Sequence, residues 1–288
     1  MSILGMGASK SATRVSVVRL RPRAVAALTV VSLVGVVAFT WPLYVSQGSV
    51  LADGRDGPWL FALLLPLLLA LLVAEVSDRG LDAKAVAMLG VLTAIAAALR
   101  PLGPGVAGLE PMFVVFILGG RVLGPGFGFL LGSLGMFASA LLTGGMGPWL
   151  PLQVMAAGWV GLGAGLLPGR DSITGRAEIG MLAGYAMLSG IGYGMIMNLW
   201  AWPTMTSGMI GGDLAFQPGA SVVENLGRFV VFSLATSVGW DITRGVLNMV
   251  LVVLAGPVVL LALRRAARRA NFAPVTAFSD SDELEASR

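Results

Sequence analysis

Residues 119–153, GGRVLGPGFGFLLGSLGMFASALLTGGMGPWLPLQ, leave this chain few ways to fold. A charged tight turn comes first, then an apolar helix spaced by glycines. A Gly-rich break follows, and then a second helix opens on Pro148-Trp149-Leu150-Pro151. Gly124, Gly128 and Gly132 recur at every fourth residue, with Ala140 two steps further along the same row. An α-helix puts such a row on one face. In a bilayer, small residues on one face let two backbones approach closely. The stretch predicts a tightly packed helical bundle inside a membrane.

Composition agrees. Apolar residues make up 56% of the chain and charged residues 12%, against about 25% charge in a typical soluble domain. The charges fall between apolar runs of about 18–23 residues, the length that crosses a ~30 Å hydrocarbon core. There is no cysteine and no histidine. That excludes a disulfide framework and a thiolate metal site, and removes the usual general base and the commonest metal ligand. No metal site and no cofactor are expected. No Gly-x-x-x-x-Gly-Lys-Ser/Thr loop exists; the nearest pieces, residues 5–11 and 169–176, lack the spacing or the lysine. No nucleophile–base pair assembles into a triad. The chain therefore does not read as an enzyme, and active transport through it needs an ion gradient or a partner protein. The isoelectric point of about 10.1 comes from Lys and Arg flanking the apolar runs. It speaks of orientation and membrane lipid, with no nucleic acid implied.

The apolar runs predict eight spans: residues 24–44, 59–76, 83–99, a short 111–120 that stops at Arg121, 126–142, 149–167, 178–200 and 242–263. The first is too long for a signal peptide and has no clean cleavage site after it. With alternating spans, one side collects Lys10, Arg14, Arg19, Arg21, Arg23, Arg79, Lys84, Arg121, Arg170, Arg176, Arg264, Arg265, Arg268 and Arg269. The other side receives Arg55, Arg100 and Arg228. The asymmetry predicts a multi-pass protein of the cell membrane with both termini in the cytoplasm. Residues 1–23 form a basic N-terminal segment, 24–77 a two-helix extension, 83–269 a six-helix unit, and 270–288 an acidic tail that reads as disordered.

The outer side carries the long 201–240 connection, with Trp202, Asp213, Gln217, Glu224, Asn225, Arg228 and Trp240. A connection of that length is functional or disordered, and its aromatic content with the apolar run 229–234 argues for a segment folded over the bundle mouth. With the 101–110 and 143–147 loops it outlines a small-molecule pocket; an interfacial aromatic belt is the plainer reading of any single Trp. Candidate solute-binding residues are Trp149, Gln153, Asn198, Trp202, Asn225, Asp241 and Arg244. Asp241 and Arg244, at i and i+3, pair on one helix face, and polar groups at membrane depth face a partner or a cavity. Gly90, Ala94 and Ala98 form a small-residue row, as do Ala157, Gly161, Gly165 and Ala186, Gly190, Gly194. Such a row serves intrachain packing or partner docking.

Three places together resemble the substrate-binding S components of energy-coupling factor (ECF) transporters. They are the Ala94/Ala98 row, the turn Gly119-Gly120-Arg121-Val122-Leu123-Gly124-Pro125 before a Gly-rich span, and Gly239-Trp240-Asp241-Ile242-Thr243-Arg244-Gly245-Val246-Leu247-Asn248 at the start of the last span. The resemblance covers about residues 83–269 and leaves two additional N-terminal spans. It implies an all-α membrane protein of about eight transmembrane helices, six of them an S-component-like bundle. It further implies a vitamin-like small molecule captured at the outer face, with cobalamin or a related corrinoid ahead of riboflavin and thiamine. Gly90, Ala94 and Ala98 would dock a membrane coupling (T) subunit that carries two cytoplasmic ATP-binding subunits. An ion-coupled secondary transporter is the alternative, and intramembrane carboxylates would support it. A ligand-free scaffold is the third reading.

Overall fold

Glycine decides how close the helices of this protein come. The computed structural model describes residues 22–49, 51, 83–103, 106–169, 172–206 and 212–270. Its helices are α1 (Pro22–Phe39), α2 (Ala83–Leu99), α3 (Phe113–Leu123), α4 (Pro125–Thr143), α5 (Leu150–Leu166), α6 (Gly175–Thr206), α7 (Val222–Thr236) and α8 (Val238–Arg269). No strand occurs among the described residues. The expected span 59–76 and residues 1–21 and 271–288 of the terminal segments lie outside them.

α4 and α5 pack backbone against backbone. A Cβ at Gly128 would run into the Gly161 carbonyl, one at Gly132 into the Ala157 carbonyl, and one at Gly120 of α3 again into Gly161. Gly124, at φ 107°, makes the sharp break between α3 and α4, a backbone region open to glycine and closed to most other residues. α6 and α8 approach in the same manner, with Gly190 against the Gly245 backbone. Three of the four small rows are thus consumed inside the chain. The fourth is not: Gly90, Ala94 and Ala98 lie on the exposed face of α2, and nothing stands within 4 Å of a Cβ built on Gly90.

Around this glycine spine sits one apolar core, with Phe113, Phe116, Phe127, Phe129 and Leu131 at its centre. The outer surface is apolar as well. Leu188, Leu254 and Val258 are each about 70% exposed, the opposite of a water-facing helix and what hydrocarbon solvates. α2 through Leu102, α4, α6 and α8 are long and apolar enough to cross a membrane, and α1, α3 and α5 are shorter apolar helices. The protein is an α-helical, multi-span membrane protein.

α1, α2, α4 and α6 run toward one end of the bundle and α3, α5 and α8 run back. That end gathers Arg100, Glu110, Trp149, Trp200 and the start of α8; it is called the mouth below. The 201–240 connection is mostly helical. α6 continues to Thr206, α8 begins at Val238, and α7 occupies 222–236 between them. Ser221 caps α7, its side chain accepting from the Glu224 amide, which is why a helix starts there.

Candidate functional site

At the mouth, a glycine again sets the geometry. The chain before α3 makes a tight turn at Val106–Gly108, with Ala107 at φ 52° and Gly108 at φ 76°. Any side chain at Gly108 would strike the Trp240 carbonyl. This contact lays the turn on the start of α8 and delivers Glu110 to Arg244. Arg244 Nε donates to Glu110 Oε2 at 2.5 Å, and Nη1 to Asp241 Oδ1 at 2.8 Å. Nη1 also lies 3.4 Å from the Gly190 carbonyl of α6. Asn248 Nδ2 donates to the Glu110 and Arg244 carbonyls at 3.0 and 2.9 Å. The guanidinium carbon stands 5.1 Å from the centre of the Tyr193 ring, a cation–π contact. Gly194 admits the cluster to α6, because a Cβ there would collide with the Asp241 carboxylate.

The cluster is buried: Glu110, Asp241, Arg244 and Asn248 are each under a tenth exposed. Taking one partner from such an ion pair costs about 3–5 kcal/mol, since the remaining charge stays buried. The pairing of Asp241 with Arg244 follows from their spacing. Glu110 had no signal in the sequence: it sits in a loop, and its partner is over a hundred residues away.

Beside the ion cluster are buried polar atoms that no other described residue satisfies. They are Gln153 Oε1 on α5, Tyr193 Oη, Asn198 Nδ2 and Trp200 Nε1 on α6, and Asn248 Oδ1 on α8. Asn198 reaches toward Asp241, but its amide nitrogen completes no hydrogen bond of good geometry. Trp149 and Trp200 meet edge to face, 5.5 Å apart. Buried polar groups are nearly always hydrogen-bonded, so a concentration of spare donors and acceptors under two tryptophans suits a polar, partly aromatic ligand. Arg100, at the end of α2, reaches the same region, with Nη1 2.8 Å from Met136 Sδ and 2.9 Å from Ser139 Oγ of α4.

Trp202 and Asn225, also expected at the site, lie in a cap beside it. Trp202 is fully buried, and its Nε1 donates to the Leu214 carbonyl at 2.7 Å. Asn225 grips the Gln217 backbone twice, accepting its N–H and donating to its carbonyl. Both spend their polar groups on holding the loop before α7. Trp41 and Val45, just past α1, complete the cap with Phe216, Phe229 and Phe232, and Val45 accepts from the Gly219 amide at 2.7 Å. The structure brings Gln153, Asn198, Asp241, Arg244 and Trp149 to the mouth, and sets Trp202 and Asn225 in its cover.

The opposite end has a second buried ion cluster. Arg121, read from sequence as a loop residue, lies inside α3 and is fully buried. Its Nε donates to Glu178 Oε1 at 2.7 Å. Its two Nη atoms donate to the Leu167, Pro168, Gly169 and Ile173 carbonyls at 3.0–3.4 Å, closing off the end of α5. Arg264 of α8 reaches the same carboxylate at 2.7 and 2.8 Å. The helix runs past the expected stop at Arg121 because guanidinium and carboxylate together satisfy each other inside the bundle. Arg244 and Arg264 are twenty residues apart on α8, about 30 Å of helix, which is the thickness of a hydrocarbon core.

Two apolar grooves run along the sides of the bundle. One, of about 600 Å³, lies between α1, α5 and α6. The other, of about 570 Å³, lies between α2, α3 and α8, with Ile95, Val114, Leu118 and Leu251 among its walls. Residues 84–256 match the family model described as "ECF transporter, substrate-specific component". No curated protein and no solved structure matches the chain.

Proposed function

The chain belongs to the substrate-specific components of ECF transporters, and from that premise we propose that it captures a vitamin-like solute at the mouth for an ATP-driven importer. The coupling subunit and two ATP-binding subunits supply the energy, and this chain, a transport subunit, performs no catalysis. The Arg121 end faces the cytoplasm in this reading, since Lys84, Arg176, Arg264, Arg265, Arg268 and Arg269 collect there. Gln153, Asn198, Asp241, Arg244 and Trp149 contact the solute, with Trp202 and Asn225 holding the cover in place. Cobalamin or a related corrinoid is the substrate we favour, because an aromatic-rich cover suits a large, partly planar molecule.

The observation that carries the reading is the open row on α2. The Gly124, Ala157 and Ala186 rows are filled by a neighbouring helix, whereas Gly90, Ala94 and Ala98 face outward beside the α2–α3–α8 groove. A row that permits close helix approach and has no helix on it is a docking face for the coupling subunit. An ion-coupled transporter needs a carboxylate free to bind its ion, and Glu110, Glu178 and Asp241 are each held by arginine.

The test is Ala94→Trp. Solute binding by the solubilised variant should persist, while co-purification of the coupling subunit and uptake in cells are lost. Loss of binding together with a lowered melting temperature assigns the row to intrachain packing and sinks the docking face. Uptake by the chain alone in liposomes, driven by a proton or sodium gradient, overturns the importer reading.

A further inference from the structure

The helix over the mouth has two apolar faces, and it spends only one of them on the bundle. α7 buries Asn225, Phe229, Phe232 and Ser233. At about 100° per residue, Val223, Leu226, Val230 and Leu234 gather on the opposite side. All four are exposed, Val223 by 80% and Leu234 by 60%. Glu224 and Arg228 occupy a flank between the two faces and pair there at 3.2 Å. A helix on a water-facing surface carries polar and charged residues on its free side. α7 carries its charge on an edge and aliphatic side chains on its free side.

Three anchors hold it down. Before it, the Gly219 N–H donates to the Val45 carbonyl, just past α1, at 2.7 Å. In its middle, Phe229 and Phe232 meet the ring of Trp202, one turn from the end of α6, at 5.3 and 6.5 Å. After it, Ser237 alone separates it from α8. α7 is thus tied along its length to the mouth-side ends of α1, α6 and α8.

The free face continues onto the lipid-facing surface of α8. Ser237, at φ −131°, bends the chain without unwinding it. Its N–H donates to the Ser233 carbonyl at 3.0 Å, and its own carbonyl accepts from the Asp241 N–H at 3.1 Å. The helical register therefore carries across the bend. Every fourth residue from Val222 to Val258 is an exposed Val, Leu or Ile. The later part of that row lies on α8, which is long and apolar enough to cross a membrane. Trp240, 47% exposed, stands just past the bend; tryptophan settles where membrane meets water.

We propose that α7 is an interfacial helix, with its Val223–Leu234 face sunk in the mouth-side lipid leaflet and its Glu224–Arg228 edge in water. The occupant of that face is the acyl and glycerol region of phospholipid, whatever the headgroup, since the face itself bears no charge. The inference stands on the fold and goes beyond the solute-capture reading, which does not depend on it. The cover of the mouth is then held from both sides, by Trp202 on one and by lipid on the other.

The chain has no cysteine, so single nitroxide labels can be placed on the full protein in phosphatidylcholine nanodiscs. Collision with oxygen, which concentrates in hydrocarbon, is compared with collision with a water-soluble nickel chelate. Labels at Val223→Cys, Leu226→Cys and Leu234→Cys should favour oxygen, as Leu254→Cys on α8 does, at a depth of about 5–10 Å into the headgroup–acyl boundary. Glu224→Cys on the edge and Gln217→Cys in the preceding loop should favour nickel. All these positions are exposed, so each variant should melt as wild type; if one does not, the remaining labels on the same face decide. Nickel access at Val223 and Leu234 equal to that at Gln217 puts the face in water and overturns the proposal. Low access to both reagents at those positions means that protein covers the face, whether another stretch of this chain, a partner or a second copy, and overturns it too. Solute binding and co-purification of the coupling subunit are measured separately, and their outcome bears on the capture reading alone.

Discussion

At the residue scale, the same residue type has opposite consequences according to what faces it. Gly128 and Gly90 both sit in four-residue rows of apolar helices, and sequence alone gives them equal standing. Gly128→Ala pushes a methyl into the Gly161 carbonyl, and overpacking of this kind costs about 1–3 kcal/mol. Gly90→Ala meets nothing and gains helix propensity, worth up to about 1 kcal/mol. Melting of the two variants in one detergent should therefore move in opposite directions. Charged residues divide likewise. Glu178→Gln removes the counter-charge of a fully buried arginine and should cost about 3–5 kcal/mol. Glu224→Gln breaks an exposed i, i+4 pair and should change stability by less than about 1 kcal/mol. A similar loss in both would mean that the Arg121 cluster is not buried as described.

At the element scale, the helical bundle and its last helix were legible, because apolar length and small-residue spacing are local signals. The Asp241–Arg244 pair was legible for the same reason. Glu110 and Arg121 were not. Each is buried only because a turn or a helix end brings a distant opposite charge to it, and a linear reading counts both as loop charges. The 201–240 segment was read as folding over the mouth, but its helix was hidden: α7 buries only Asn225, Phe229, Phe232 and Ser233, too narrow a stripe to stand out from its apolar flanks. The link between the N-terminal extension and this cover was invisible as well. Trp41 packs 5.7 Å from Phe216, which in turn stands 5.9 Å from Trp202. Trp41→Ala should cost about 3 kcal/mol of local stability. Faster hydrogen exchange across 212–236, with exchange in α4 and α5 unchanged, is the expected result. Uniform acceleration in all helices would show that Trp41 supports the whole bundle and not its cover.

At the scale of the whole molecule, the absence of cysteine makes orientation directly measurable. Ser172, between α5 and α6, and Gln217, before α7, are exposed at opposite ends. In intact cells an impermeant maleimide should label Gln217→Cys and spare Ser172→Cys until the membrane is opened; the reverse pattern inverts the proposed topology. The two ion clusters add a further constraint. With about 30 Å of α8 between them, they work as a built-in gauge of bilayer thickness. In a thicker bilayer, acyl chains would be forced against one charged layer or the other. The rigid, glycine-locked helices cannot lengthen to meet that hydrophobic mismatch, so the membrane must thin around them or the bundle must tilt. The protein should accordingly be most stable in lipids of one intermediate chain length and lose stability on either side of it.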